Sequence, residues 1–349
     1  MTTARTRRLI SLVPLALLVA CGSEPQRSIT ATLTASHTAN FSSWSEPVSL
    51  GTTINMPGFN DQQPALSKDG LSLYFASNRP ESPGDATLDL NIWVSQRACA
   101  DESCPWGTPV SLGSTVNSSV NDIAPVLSRD GHRLFFASNR STGVPGESDI
   151  WVSWRDNVHD DFGWQAPEKL GPGVNTPGFE GGPGYFENDD VGGPQLFFNR
   201  NPLPSNAGGD IYVSEQAVDG TWGAAVPVSE LNSDSSDQRP SVAPSGLEIY
   251  FYSNRLGSTL NLFCSTPNDP RCSTTNDIWV STRESVLEPW SAPTNLGSPI
   301  NTAVGETLPH IFAHGGAEQL YYTHNVAIPP AVDNDIFVST RTREGKGPE

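Results

Sequence analysis

Basic residues are scarce in this chain: 20 lysines and arginines stand against 38 aspartates and glutamates, for a net charge of −18. A phosphate backbone is gripped by a basic face, so nucleic acid is excluded as a partner. Long apolar runs are also missing. The longest, Leu9 to Ala20, falls short of the roughly 20 residues a membrane-spanning helix needs. Almost nowhere do apolar residues recur at helical spacing, which argues against bundles and α/β folds. No Gly-x-Ser-x-Gly elbow exposes a serine nucleophile, and no glycine-rich loop leads into a helix to cradle phosphate. Cysteine is limited to five residues. Four of them form two local pairs, Cys99 with Cys104 and Cys264 with Cys272, which read as small disulfides in an oxidising compartment. Zinc is the alternative, and the absence of Cys-x-x-Cys spacing weighs against it. No metal site is expected.

What the chain does have is one sentence written five times. Each copy runs Trp-x-x-Pro, Leu-Gly, Asn, an acid three residues before Pro, a Phe/Tyr-rich strand ending Asn-Arg, then Asp-Ile-Trp-Val-Ser or a close variant. The anchoring tryptophans are Trp44, Trp106, Trp164, Trp222 and Trp290, spaced by 62, 58, 58 and 68 residues. A supersecondary unit repeated at such a period means a solenoid or a propeller. Each unit holds about four short strands punctuated by Gly, Pro, Asn and Asp, the β-propeller pattern. Trp44 to Gly51 matches a fourth strand with no strands before it, and the last repeat supplies three strands and stops after Arg341. Joining the ends makes five complete blades and leaves no unpaired edge. The expected fold is therefore all-β, a five-bladed β-propeller closed by an N-terminal strand. Trp93, Trp151, Tyr212, Trp279 and Phe337 share one repeat position and are expected to pack between blades.

Two stretches carry resemblances. Leu66-Ser-Lys-Asp-Gly-Leu-Ser-Leu-Tyr-Phe-Ala-Ser-Asn-Arg79 and Asp149-Ile-Trp-Val-Ser153 resemble the WD40-like repeat of the TolB type over about residues 44 to 341. TolB proteins carry six blades and an additional α/β domain, which this chain lacks, so the resemblance implies an envelope propeller without implying Tol partners. Arg5, Arg7 and Arg8, the apolar run and Leu18-Val19-Ala20-Cys21 resemble a bacterial lipoprotein signal with its lipobox. That resemblance implies cleavage before Cys21 and lipidation of its sulfur, with Gly22 and Ser23 directing the protein to the outer membrane. The expected organisation is a signal peptide over 1–20, a flexible Ser/Thr-rich tether over 21–43, the propeller over 44–341 and a tail over 342–349. Loss of the signal's three arginines leaves 17 basic against 38 acidic residues, net −21.

The residues that could carry chemistry are in register. Asp61, Asp122, Glu180, Asp237 and Glu306 each precede the Pro of the innermost strand by three residues, placing five carboxylates at one mouth of the channel. Arg79, Arg140, Arg200 and Arg255 follow the second strand on the same face, and Asn91, Asp149, Asp210, Asp277 and Asp335 open the third. A fork that pairs bidentately with carboxylates makes the acid–arginine ring a blade-building network first and a polar ligand funnel second. The breaks are more telling. Blade three is glycine-rich from Gly178 to Gly184, and blade five has His324-Asn325-Val326 where the others have the arginine, leaving Glu306 alone. His310 and His314 add two more imidazoles, without a known ligand spacing.

The reading these residues favour is a non-catalytic envelope lipoprotein that binds an envelope protein or a glycan, as a monomer anchored only through its lipid. No cofactor is required, with a channel cation such as calcium left open. The disulfide-stapled loop from Leu256 to Asn276 is the candidate contact surface. The alternative is a glycoside hydrolase resembling the five-bladed arabinanase type, with Asp61, Asp122 and Glu180 as the carboxylates, since glycosidic cleavage needs a carboxyl pair at a defined separation. No motif of that family surrounds them, and the sialidase Asp-box is absent.

Overall fold

The computed structural model describes residues 41–82, 87–141, 147–188, 190, 192–201, 208–260, 275–328 and 331–344. Strand β1 (Val48–Ser49) opens the chain's pairing. Blade one follows as β2 (Asp61–Leu66), β3 (Ser72–Ser77), β4 (Asn91–Gln96) and β5 (Val110–Ser111). Blade two is β6 (Asp122–Leu127), β7 (Arg133–Ser138), β8 (Asp149–Trp154) and β9 (Glu168–Lys169). Blade three is β10 (Phe179–Phe186), β11 (Gln195–Asn201), β12 (Asp210–Glu215) and β13 (Val226–Pro227). Blade four is β14 (Asp237–Val242), β15 (Glu248–Ser253), β16 (Asp277–Thr282) and β17 (Thr294–Asn295). Blade five consists of β18 (Glu306–His314), β19 (Ala317–Ile328) and β20 (Ala331–Thr342), with β1 as its outer strand. The five-bladed, all-β propeller read from the sequence is the fold, and its seam closes as expected, Val48 pairing with Val338 and Ser49 with Phe337. Pairing extends slightly beyond the expected span, with Phe41 bridged to Arg343.

The repeated letters each have a structural task. The outer strands are only two residues long, and an asparagine side chain continues the ladder beyond them. Asn55, Asn117, Asn175, Asn232 and Asn301 donate to the carbonyl and accept from the N–H of Ile336, Ile92, Ile150, Ile211 and Ile278 respectively. The amide thus imitates one further peptide unit, a pair of hydrogen bonds worth about 1 kcal/mol each. Every innermost strand bulges two residues after its acid. Gln63, Ala124, Gly182, Arg239 and Leu308 all adopt φ of 55–60°, and each is followed by Pro. Two residues there oppose one on the neighbouring strand, which re-aims the chain at the channel.

Apolar side chains form five clusters, one at each junction between adjacent blades. Trp93 and Trp279 are buried there, with Trp151, Tyr212 and Phe337 half-buried against the same clusters. The anchoring tryptophans are covered by arginines that end the third strands: Arg97 over Trp106, Arg155 over Trp164, Arg283 over Trp290 and Arg341 over Trp44. Blade three has Gln216 instead, and Trp222 meets Phe135 edge-on. Cys99 and Cys104 form a disulfide, whereas Cys264, Cys272 and Cys21 lie outside the described residues. Among the described residues no helix is long and apolar enough to cross a membrane.

Candidate active site

All five ring acids are fully buried at the start of their innermost strands. Four are locked. Asp61 meets Arg79 at 2.5 Å and accepts from the Met56 N–H at 2.6 Å. Asp122 meets Arg140 at 2.5 Å and takes the Ser118 hydroxyl at 2.8 Å. Glu180 accepts from Arg200 Nε at 2.9 Å and from the Thr176 N–H at 3.0 Å. Asp237 pairs with Arg255 and accepts from the Ser233 N–H at 2.6 Å. Each arginine also donates to a carbonyl of the loop that leads in from the preceding blade: Ile54, Val116, Val174 and Leu231. Acid and guanidinium together therefore staple one blade to the next. The face carrying Asp61, Asp122 and Glu180 brings them into one ring, but their oxygens are occupied by the scaffold.

Glu306 differs. Thr302 supplies the loop contacts, its N–H donating to Oε2 at 2.9 Å and its hydroxyl to Oε1 at 2.5 Å, but no guanidinium follows. His324 stands opposite it in register, with Nδ1 3.9 Å from Oε1 and a fifth of its side chain exposed. Burial, assisted by the charge of Asp277 and opposed by the Thr302 donors, pushes the Glu306 carboxyl up to about 7. Burial pushes His324 down, so the imidazole is neutral at neutral pH and cannot replace the missing arginine. Its ring lies 5.0 Å from that of Phe337.

The second ring of polar residues, at the start of the third strands, is also uneven. Asp149 is paired with Lys169 at 2.7 Å. Asp277 accepts from Thr259, Thr275 and Asn295. Asp335 has neither kind of support among the described residues; burial, then the charges of Asp333 and Asp61, push it up to about 6. Register places Glu306 opposite His324, and His324 opposite Asp335, so the three side chains form one row across blade five. Sequence reasoning singled out Glu306 and His324 but gave Asp335 no role of its own. The repeat held no separate signal for it, because the charges that raise it come from Asp333 and from Asp61 of blade one.

Blade five also builds a wall. Its β19–β20 hairpin has 12-residue strands where the other blades have six or seven, and it runs past Glu306 on the acid face, pairing up to Ile328 with Ala331. The hairpin leans on the start of blade one, where the Gly58 N–H donates to Asp333 at 3.1 Å and Asn334 donates to Asn60 at 2.9 Å. A cavity of about 490 Å³ lies on the same face, between blades two and three, beside Asp149, Thr176 and Gly178. A larger one, about 710 Å³, lies on the flank of those blades, against the uncovered Trp222 and away from the acids. Among the described residues no cluster of His, Cys, Asp and Glu is arranged around a metal ion. The Leu256–Asn276 loop proposed as a contact surface has residues 261–274 outside the described residues.

Fold and site together define a five-bladed β-propeller with one irregular blade. No protein family matches the chain, nor does any curated protein. Solved structures do. The catalytic domain of an α-L-arabinofuranosidase from Coprinopsis cinerea is 12% identical, with 87% of this chain and 98% of that one covered at a TM-score of 0.54. An endo-arabinase from Bacteroides thetaiotaomicron is 15% identical over 88% and 99% of the two chains, TM-score 0.54. An α-L-arabinofuranosidase from Lactobacillus brevis is 14% identical over 86% and 98%, TM-score 0.52. At such identities the likeness establishes the fold. It also corrects the reading of the chain as a non-catalytic binding scaffold with an enzyme as the lesser alternative, because the propellers it matches along their whole length are glycoside hydrolases. The physical ground for that reading was that an acid recurs in every blade, as a scaffold needs; the break in blade five was visible in the sequence and was given less weight.

Proposed function

We propose that this protein is a glycoside hydrolase acting at the blade-five mouth of the acid-bearing face, with Glu306 as proton donor and Asp335 as its carboxylate partner. The observation that carries this reading is Glu306, the one ring acid with no guanidinium among the described residues, holding its proton up to about pH 7. A general acid needs a pKa near the working pH, and two carboxyls whose environments separate their pKa values divide the roles of acid and base. Between about pH 6 and 7 Glu306 is protonated and Asp335 ionised. Glu306 is fully buried with Thr302 on both oxygens, so substrate would have to displace the Thr302 hydroxyl and the partly exposed His324 ring. Glu306 would then protonate the glycosidic oxygen, while Asp335 activates water on the opposite side of the sugar. Strands β18 and β20 flank β19, so their backbones lie two strand spacings, about 10 Å, apart. That spacing suits the roughly 6.5–9.5 Å carboxyl separation of inverting enzymes, which leaves room for the water. The arabinofuranosidases and the endo-arabinase that share the fold support an arabinofuranosyl glycan as substrate. The TolB-type repeat strings and the lipobox at Cys21 support a place in the bacterial envelope, tethered through lipid.

The test is sugar release from arabinan, arabinoxylan and an aryl α-L-arabinofuranoside by the chain from Gly22 onward. Glu306→Gln and Asp335→Asn should each lower the rate by about 10²–10⁴-fold, the usual size of a general acid–base contribution. Full activity in both variants, or no release from any substrate, would refute the reading.

A further inference from the structure

The five left-handed residues that follow the ring acids are Gln63, Ala124, Gly182, Arg239 and Leu308. Four are uncharged. The fifth, Arg239, is 3% exposed. Its Nη2 donates to the carbonyl of Pro125 at 3.2 Å. Pro125 belongs to blade two and Arg239 to blade four, so the side chain spans the channel past blade three. Blade three is shaped around it. A Cβ on Gly182 would lie 3.2 Å from both Cα and Cδ of Arg239, and one on Gly184 would lie 2.1 Å from the Pro240 carbonyl oxygen. The glycine-rich start of this blade, unexplained in the sequence, is the passage through which the arginine crosses.

The guanidinium is uncompensated. Among the described residues no carboxylate pairs with it, and its Nη1 is buried with no hydrogen-bond partner. Asn199 also borders Gly182, its Oδ1 2.6 Å from where a Cβ would lie; it is 3% exposed and its Nδ2 is likewise unpartnered. The nearby titratable groups supply no negative charge. His310 is kept neutral, pushed down to about 3 by burial and by the Arg239 charge. Tyr252 is pushed up to about 12 by burial and donates to Gln238. A buried charge without a partner is among the most costly features a fold can carry, and each orphaned donor adds to it.

We propose that the central channel binds a small inorganic anion of chloride size, held by Arg239 Nη1 and Asn199 Nδ2 beside Gly182. A monoatomic anion satisfies both donors without any acceptor geometry and neutralises the guanidinium. The same positive charge repels a cation from this stretch of channel. The site is independent of the hydrolase reading, since Arg239 and Asn199 lie outside the Glu306–His324–Asp335 row.

Thermal unfolding of the chain from Gly22 onward in sodium chloride and in sodium gluconate, at equal ionic strength, tests it. Chloride should raise the midpoint by about 2–3 °C per tenfold increase once above its Kd, and gluconate should not. A crystal soaked in bromide should show an anomalous peak within hydrogen-bond reach of Arg239 Nη1. Asn199→Asp supplies a fixed carboxylate and should abolish the chloride dependence while keeping the fold, which covers the case in which Arg239→Met fails to fold. Equal midpoints in both salts, with no bromide peak at Arg239, would mean that only water reaches the site and would overturn the proposal.

Discussion

Single residues set both the strength of this fold and its chemistry. Arg79 and Asp61 are almost wholly buried and hold the blade-five to blade-one connection through the Ile54 carbonyl. Arg79→Met strands the carboxylate, and breaking a buried pair in this way should cost about 3–5 kcal/mol, read from denaturant unfolding. Blade five offers the reverse experiment. Val326 occupies the position of the missing arginine, so Val326→Arg should draw the Glu306 carboxyl down from about 7 toward the ordinary range, stabilise the protein above pH 7, and abolish hydrolysis. The linkage has a definite sign. Glu306 titrates higher in the folded state than in the unfolded one, so its contribution is complete below about pH 4.5 and lost as pH rises through 7. Glu306→Gln should therefore gain stability over the parent as pH increases across that window. His310 runs the other way: buried neutral and depressed to about 3, it supports the fold above pH 6.5 and withdraws that support on acidification. His310→Gln should flatten the acid limb of the unfolding midpoint.

At the scale of elements, the closing strand and the blade-five hairpin matter most. Deleting residues 41–50 removes β1 and Trp44 together with its contacts to Tyr250 and Arg341, and leaves the edge of β20 unpaired. The truncated chain should lose its single cooperative transition and associate, as seen by size exclusion with thermal melting. The strands, blade count, seam and acid–arginine pairs were legible in the sequence because five copies state them in the same letters, from Asp61 with Arg79 to Asp237 with Arg255. What could not be read occurs once. Arg239 sits at a bulge position with no repeated letter, and its reach to Pro125 depends on glycines some 55 residues earlier in the chain, a distance given by numbering alone. The long β19–β20 hairpin carries the apolar letters Val326-Ala327-Ile328 and Ala331-Val332 where other blades have Asn-Arg and a turn, and it pairs beside the blade-one rim. Asp335 carries the same letter as Asp149 and Asp277, and only the partners around each tell them apart.

Across the whole molecule, a near-symmetric ring is interrupted in one repeat, and the proposed function rests on that interruption. All five blades use their acid to hold the preceding loop; four add an arginine, while the fifth has none among the described residues and raises a wall beside its acid. The binding-scaffold expectation gave most weight to acids that recur in all five blades, although the absent arginine of blade five was already legible in the letters. The most direct test is the pH dependence of kcat/KM for arabinoside hydrolysis by the parent chain and Glu306→Gln. The account predicts a narrow bell for the parent, with limbs near 6 and 7 set by Asp335 and Glu306, and loss of activity in the variant. A rate that stays level beyond pH 9, or a Glu306→Gln variant as active as the parent, would contradict it.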